Sequence, residues 1–204
     1  MMGRNSWFAL GSAVVLLAGC SDSTGGGTII VPPGNLNYLH VASTAPPLCA
    51  DSVGEWFVKN PSGSDHELAL TFPENGDSLN CASGNTEDFI RLKVDKDGLS
   101  ERPDGSAIAD GDSVFISIVW VGGDSVLFHL TPTGLAFDPA KPAELKISFG
   151  QTEEVDDSTV INQIAIWRQA TLADDFVRLN SNTLEVEEEL EVKINGFSRY
   201  AIAY

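Results

Sequence analysis

Histidine and cysteine are scarce in this chain, three of each: His40, His66, His129, and Cys20, Cys49, Cys81. The histidines lie far apart, and none stands at zinc-ligand spacing from a cysteine or a carboxylate. No P-loop, dinucleotide fingerprint or Gly-x-Ser-x-Gly elbow is present, so phosphate-cradling and nucleophile-elbow chemistry have no carrier. The reading is of a chain without catalytic residues, cofactor or metal. Basic residues are few as well: 12 Lys and Arg against 29 Asp and Glu, a formal net charge of −17. Phosphates would be repelled, which excludes nucleic acid, and so would an anionic lipid surface meeting the folded part. Solubility accounts for the acidity, and cationic partners are the class it admits. No apolar run is long enough to cross a bilayer as a helix.

What is present begins at the N-terminus. Arg4 precedes the apolar stretch from Trp7 to Leu17, and small residues lead into Cys20. This reads as an export signal. The run Leu17-Ala18-Gly19-Cys20 resembles the bacterial lipobox, which implies that residues 1–19 are a signal peptide and that Cys20 carries the lipid, palmitate among its acyl chains. By the same resemblance Ser21, in place of an aspartate, favours the outer membrane. Residues 20–35, rich in Ser, Thr and Gly and closing on Pro32-Pro33, read as a flexible tether behind the lipidated cysteine.

With Cys20 committed to lipid, Cys49 and Cys81 remain, an even pair that predicts one disulfide in an oxidising compartment. It sits in residues 36–85, read as a small β module or an extension of the following domain. There Leu68, Leu70 and Phe72 alternate as in a half-buried strand, and a hairpin around Asn60 is expected to join Glu55–Lys59 to Glu67–Phe72. Further strands are expected near 89–94, 113–121, 125–130, 143–149, 163–167, 176–179, 183–194 and 199–203. No segment has a sustained helical period, so the fold class is all-β, an antiparallel β-sandwich. Glu188 breaks the aliphatic alternation of 183–194, which marks a bulge, turn or exposed edge.

In the C-terminal half, Leu130-Thr131-Pro132-Thr133-Gly134-Leu135-Ala136-Phe137, then Ile164-Ala165-Ile166-Trp167, and finally Gly196-Phe197-Ser198-Arg199-Tyr200-Ala201 follow one another in an order that resembles the ZU5-type β-sandwich of bacterial surface proteins. The resemblance implies a ZU5-like sandwich over residues 86–204. Some domains of that type cut their own backbone before a serine placed as Ser198 is, after Phe197, with a histidine assisting. Here Gly196 stands where the histidine would. Only His129 could approach through space, so the strand is expected to be uncut and Ser198 idle, with Phe197 and Tyr200 as aromatic anchors.

Asp95-Lys96-Asp97-Gly98 begins like a calcium loop, but Leu99 and Ser106 stand where acidic ligands are required. The function expected is therefore a lipid-anchored cell-envelope protein, periplasmic or at the surface, serving as a binding, adhesion or spacer module. Its partners would be the membrane, through Cys20, and a protein or glycan. A self-cleaving or hydrolytic domain and a calcium-stabilised adhesin are the alternatives. Cys20→Ala should leave the precursor unprocessed or move the protein into soluble fractions. Normal processing with retention in the membrane pellet would refute the anchor.

Overall fold

Alternation of apolar side chains builds two sheets that share one core. In the computed structural model, which describes residues 28–204, the first half of the chain forms strands β1 (Ile30–Val31), β2 (Ser52–Val58), β3 (His66–Pro73), β4 (Thr86–Val94), β5 (Leu99–Glu101), β6 (Ser113–Trp120) and β7 (Leu127–Thr131). The second half forms β8 (Ala136–Phe137), β9 (Ala143–Ser148), β10 (Ala165–Gln169), β11 (Phe176–Arg178), β12 (Asn182–Leu184), β13 (Glu189–Ile194) and β14 (Arg199–Ala203). A seven-stranded antiparallel sheet runs β1-β11-β10-β14-β7-β6-β2, and a five-stranded one runs β12-β13-β9-β4-β3. Together they make an all-β sandwich. The short pair β5-β8 and two single-turn helices, Leu79–Ser83 and Ser158–Ile161, lie in the connections.

Inward positions follow the period of two. Leu145 and Ile147 of β9, Leu190 and Val192 of β13, and Val114, Ile116 and Ile118 of β6 all face the common core. The exception is Phe89. Between β3 and β4 the register runs Leu70 to Ile90 and then Thr71 to Asp88, so Phe89 is the extra residue of a bulge. It is therefore buried together with its neighbour Ile90. Its ring meets Phe72 of the same sheet at 4.8 Å, and Phe128 and Trp120 of the opposite sheet at 4.9 and 5.9 Å.

Several expectations are corrected. No hairpin joins β2 to β3. β2 pairs with β6 at the edge of the large sheet and β3 with β4 at the edge of the small one, so the Asn60 turn carries the chain from one layer to the other. Both strands have a buried face, which a free two-stranded hairpin could not provide. The expected tether also ends early. Ile30 and Val31 pair with Val177 and Phe176, and Leu36 is buried in a small cluster with Trp167 and Phe176. The strand expected over 183–194 is a hairpin whose turn holds Glu188 at φ 53°. Cys49 and Cys81 stand at disulfide distance, Sγ–Sγ 2.03 Å and Cα–Cα 5.5 Å. A loop of that length closed by a disulfide is worth about 3–4 kcal/mol in the chain-entropy account.

Because Phe89 touches both layers, Phe89→Ala should cost about 3–5 kcal/mol. Lys146→Ala, on the exposed side of β9, should cost about 1 kcal/mol or less. Thermal melts of the two variants check this. Equal midpoints would show that the bulged ring does not hold the layers together.

Candidate functional site

The two outward faces of the sandwich are covered differently. On the five-stranded sheet, charged side chains form a cross-strand lattice: Lys146 lies 3.6 Å from Glu189 and 3.5 Å from Glu191, Lys193 lies 2.5 Å from Glu144, and Lys93 lies 3.5 Å from Asp65. Such a surface is solvated and self-paired.

The seven-stranded sheet has instead an apolar outer face, of which half is covered. The segment 28–41 straps across β11, β10 and β14. Arg178 N donates to Ile29 O and Tyr204 N to Asn37 O, both at 3.0 Å. Beneath it Leu36 joins Leu127, Ala165, Trp167, Phe176, Ala201 and Ala203, with Val31 and Tyr38 packed alongside. Trp167 Nε1 donates to Ala203 O at 3.0 Å.

The other half, over β6 and β2, is bare. Trp56 and Phe115 are directly opposed across these strands and meet edge to face at 5.5 Å. They are 61% and 47% exposed, and Val58 beside them is exposed as well. Gly54 makes room for the pair, since a Cβ there would come within 2.6 Å of Phe115 Cζ. The result is an aromatic ledge beside an open sheet edge.

The edge itself offers hydrogen bonds. In an antiparallel ladder alternate residues turn their backbone groups to the neighbouring strand. Lys59 N donates to Asp112 O and Trp120 N donates to Asp51 O, so the odd-numbered residues of β2 bond β6. Ser52, Gly54, Trp56 and Val58 therefore turn their N–H and C=O outward. Among the described residues only Val58 is met, by His66, whose Nε2 lies 3.3 Å from Val58 N and 3.0 Å from Val58 O and bonds one of them according to its tautomer. The His66 ring is held there by stacking on Phe57 at 4.6 Å.

The residues singled out by sequence lie elsewhere. Cys20 and the signal segment fall outside the described residues. The disulfide pair lies against β3, where Cys49 N donates to Thr71 O. Asp97 and Asp95 both face Lys141, whose ammonium bonds the Asp97 carboxylate and lies 4.0 Å from Asp95. That ion pair, first through its hydrogen bond, holds the Asp97 carboxyl below its ordinary range. Asp112 pairs with Arg102 at 3.3 Å, and Asp104 caps the Ser106 amide. Among the described residues no three of His, Cys, Asp and Glu gather as a metal would need.

Ser198 is fully buried, and its Oγ accepts a hydrogen bond from Arg168 Nε at 2.8 Å. A guanidinium has no lone pair with which to take a proton. Tyr200 donates to Gly196 O at 2.5 Å, and burial pushes its phenol up, which keeps it neutral. His129 pairs in register with Arg199 and faces outward, away from the Ser198 hydroxyl. At Gly196 a Cβ would stand 2.8 Å from the Leu135 carbonyl oxygen, so the backbone approach leaves no room for the histidine that a cleaving strand would carry. Ser198 Oγ is thus the acceptor that holds a partly buried cation.

No protein-family model, curated protein or solved structure matches the chain. The ledge was missed in sequence because Trp56-Phe57-Val58 is a continuous apolar run, which does not say which side faces the core. The protein and its Ser198→Ala variant should both be recovered as uncut chains, the variant less stable by about 1–3 kcal/mol, the cost of stranding Arg168. A peptide beginning at Ser198, lost in that variant, would contradict the assignment.

Proposed function

We propose that this protein is a non-catalytic binding module of the cell envelope, held to the outer membrane by lipid on Cys20, and that it docks a protein partner at the edge of β2. The observation that carries this reading is the exposed Trp56–Phe115 pair on a part of the outer sheet face that has neither strap nor ion-pair lattice among the described residues. Contiguous exposed aromatics rimmed by polar groups mark interaction surfaces. The disulfide pair supports an exported location. The order of motifs from Leu130 to Ala201 supports a ZU5-type sandwich as the scaffold.

The outward backbone groups at Gly54 and Trp56 favour a polypeptide over a glycan, because an extended chain can add to the edge while its side chains meet the ledge. A second copy fits poorly. Two β2 strands paired antiparallel about their centre would set Glu55 beside Glu55 in molecules that each carry a charge of −17. A partner with basic residues around an apolar strand fits both the edge and the charge.

With the photo-crosslinker p-benzoylphenylalanine at position 56 in cells, one discrete protein adduct is expected. The same probe at Leu79 or Val186, exposed residues away from the ledge, should give none. An adduct at twice the mass of the chain, equal capture from all three positions, or no adduct from position 56 would each overturn the reading.

A further inference from the structure

Beyond the ledge, the outer face of the large sheet ends in a groove of about 450 Å³ with a cation at its base. Arg199 of β14 and His129 of β7 are register partners and form the floor. Val121, Ala170 and Leu172 form the walls, and Thr133 closes one end.

Three features bear on what this groove takes. Arg199 has no carboxylate within ion-pair distance among the described residues, although acidic residues outnumber basic ones 29 to 12. Its Nη1 donates to Gln169 Oε1 at 2.8 Å, which anchors one end of the guanidinium, and its other N–H groups have no partner among the described residues. His129 is oriented by Thr133, whose Oγ1 lies 2.8 Å from its Nε2. Burial, and then the charge of Arg199, hold the His129 imidazole below its ordinary pKa. The floor therefore presents one fixed positive charge beside a neutral ring. Finally, Leu172 is 77% exposed on the wall although it is a large aliphatic residue, and Val121 faces it partly exposed.

We propose that this groove binds a small amphipathic monocarboxylate, its carboxylate on Arg199 and its short apolar chain between Val121 and Leu172. Charge complementarity selects the head group: a planar guanidinium with free parallel donors matches a carboxylate in two-point contact. The walls select the rest of the ligand. A strongly acidic protein repels anions at distance, so a bare anion gains too little from a single arginine, and contact with the apolar walls supplies the remainder. A cationic or neutral molecule with the same chain lacks the floor contact. The site does not depend on the Trp56 ledge, and the crosslinking result and the result below can fail separately.

The probe is hexanoate, titrated into the full-length chain while the imidazole resonances of all three histidines are followed by NMR. Hexanoate should shift His129 saturably, with a Kd of about a millimolar, and leave His40 and His66 unmoved. 1-Hexanol, hexylammonium and acetate should each bind at least about tenfold more weakly, and Arg199→Gln should weaken hexanoate by about the same factor. Leu172→Ser, on an exposed loop where it cannot disturb the core, should weaken it severalfold and decides the matter if Arg199→Gln fails to fold. Equal binding of hexanol would show an apolar patch only, and equal binding of acetate a plain anion contact. Either result overturns the proposal, as do unchanged affinity in the variants, shifts at all three histidines, or no saturation.

Discussion

The sandwich depends on one irregular residue. A regular strand can put every second side chain inward, but β4 puts two successive ones there because Phe89 is bulged out of its ladder with β3. The bulge sends an aromatic ring across the space between the layers, where it meets Phe128 and Trp120 while keeping Phe72 on its own side. Ring pairs of this kind add about 0.5–1.5 kcal/mol each beyond the area they bury. More to the point, they set how one sheet sits on the other. That placement brings the edges β2 and β3 together, and His66 can then reach across to bond one of the two outward backbone groups of Val58.

With the inner faces joined, the outer faces are free to differ, and their difference carries the functional argument. The exposed ammonium of Lys193 contributes little stability through its pair with Glu144, since pairs at the surface are worth roughly 0–1 kcal/mol. The effect of the lattice around Lys146 and Lys193 is to make the small sheet unattractive to other chains. The strap does the same for half of the large sheet by burying Trp167 and Phe176. Over β6 and β2 neither device operates, and two aromatic rings stand in water. Folding gains little from them there, so their retention is better explained by contact with something else.

The alternation of β6 and β9 was legible in sequence because each has one buried face and one turned toward solvent, and a period of two reports that. The turn at Glu188 was legible for the same reason, as a charge in an aliphatic position. The strap was not. Ile29-Ile30-Val31 follows a glycine-rich stretch and is too short to show a period, and its strand partner is Phe176-Val177, some 145 residues later. The hairpin expected around Asn60 failed because a turn signal fixes where a chain reverses but not whether the next strand joins the same layer. The groove beside Leu172 was equally hidden: His129 and Arg199 become neighbours only through the pairing of β7 with β14.

The same pairing logic explains why a strand that resembles a self-cutting one is built for the opposite purpose. Cleavage before a serine needs a hydroxyl that can lose its proton and a carbonyl that can be distorted. Here the Ser198 hydroxyl accepts a hydrogen bond from Arg168, whose guanidinium has no lone pair and cannot take the serine proton as a base. The chain before it is pinned rather than strained, with Gly196 close against the Leu135 carbonyl and bonded by Tyr200. Phe197 packs on Phe137 at 5.2 Å and closes the core over this end. Serine at 198 gives the half-buried Arg168 guanidinium an acceptor, and glycine at 196 is required by the approach of the backbone. Each residue of Gly196-Phe197-Ser198 is thereby accounted for by packing and hydrogen bonding alone, which leaves the outward face of β14, where Arg199 meets His129, as the side of this strand available for binding.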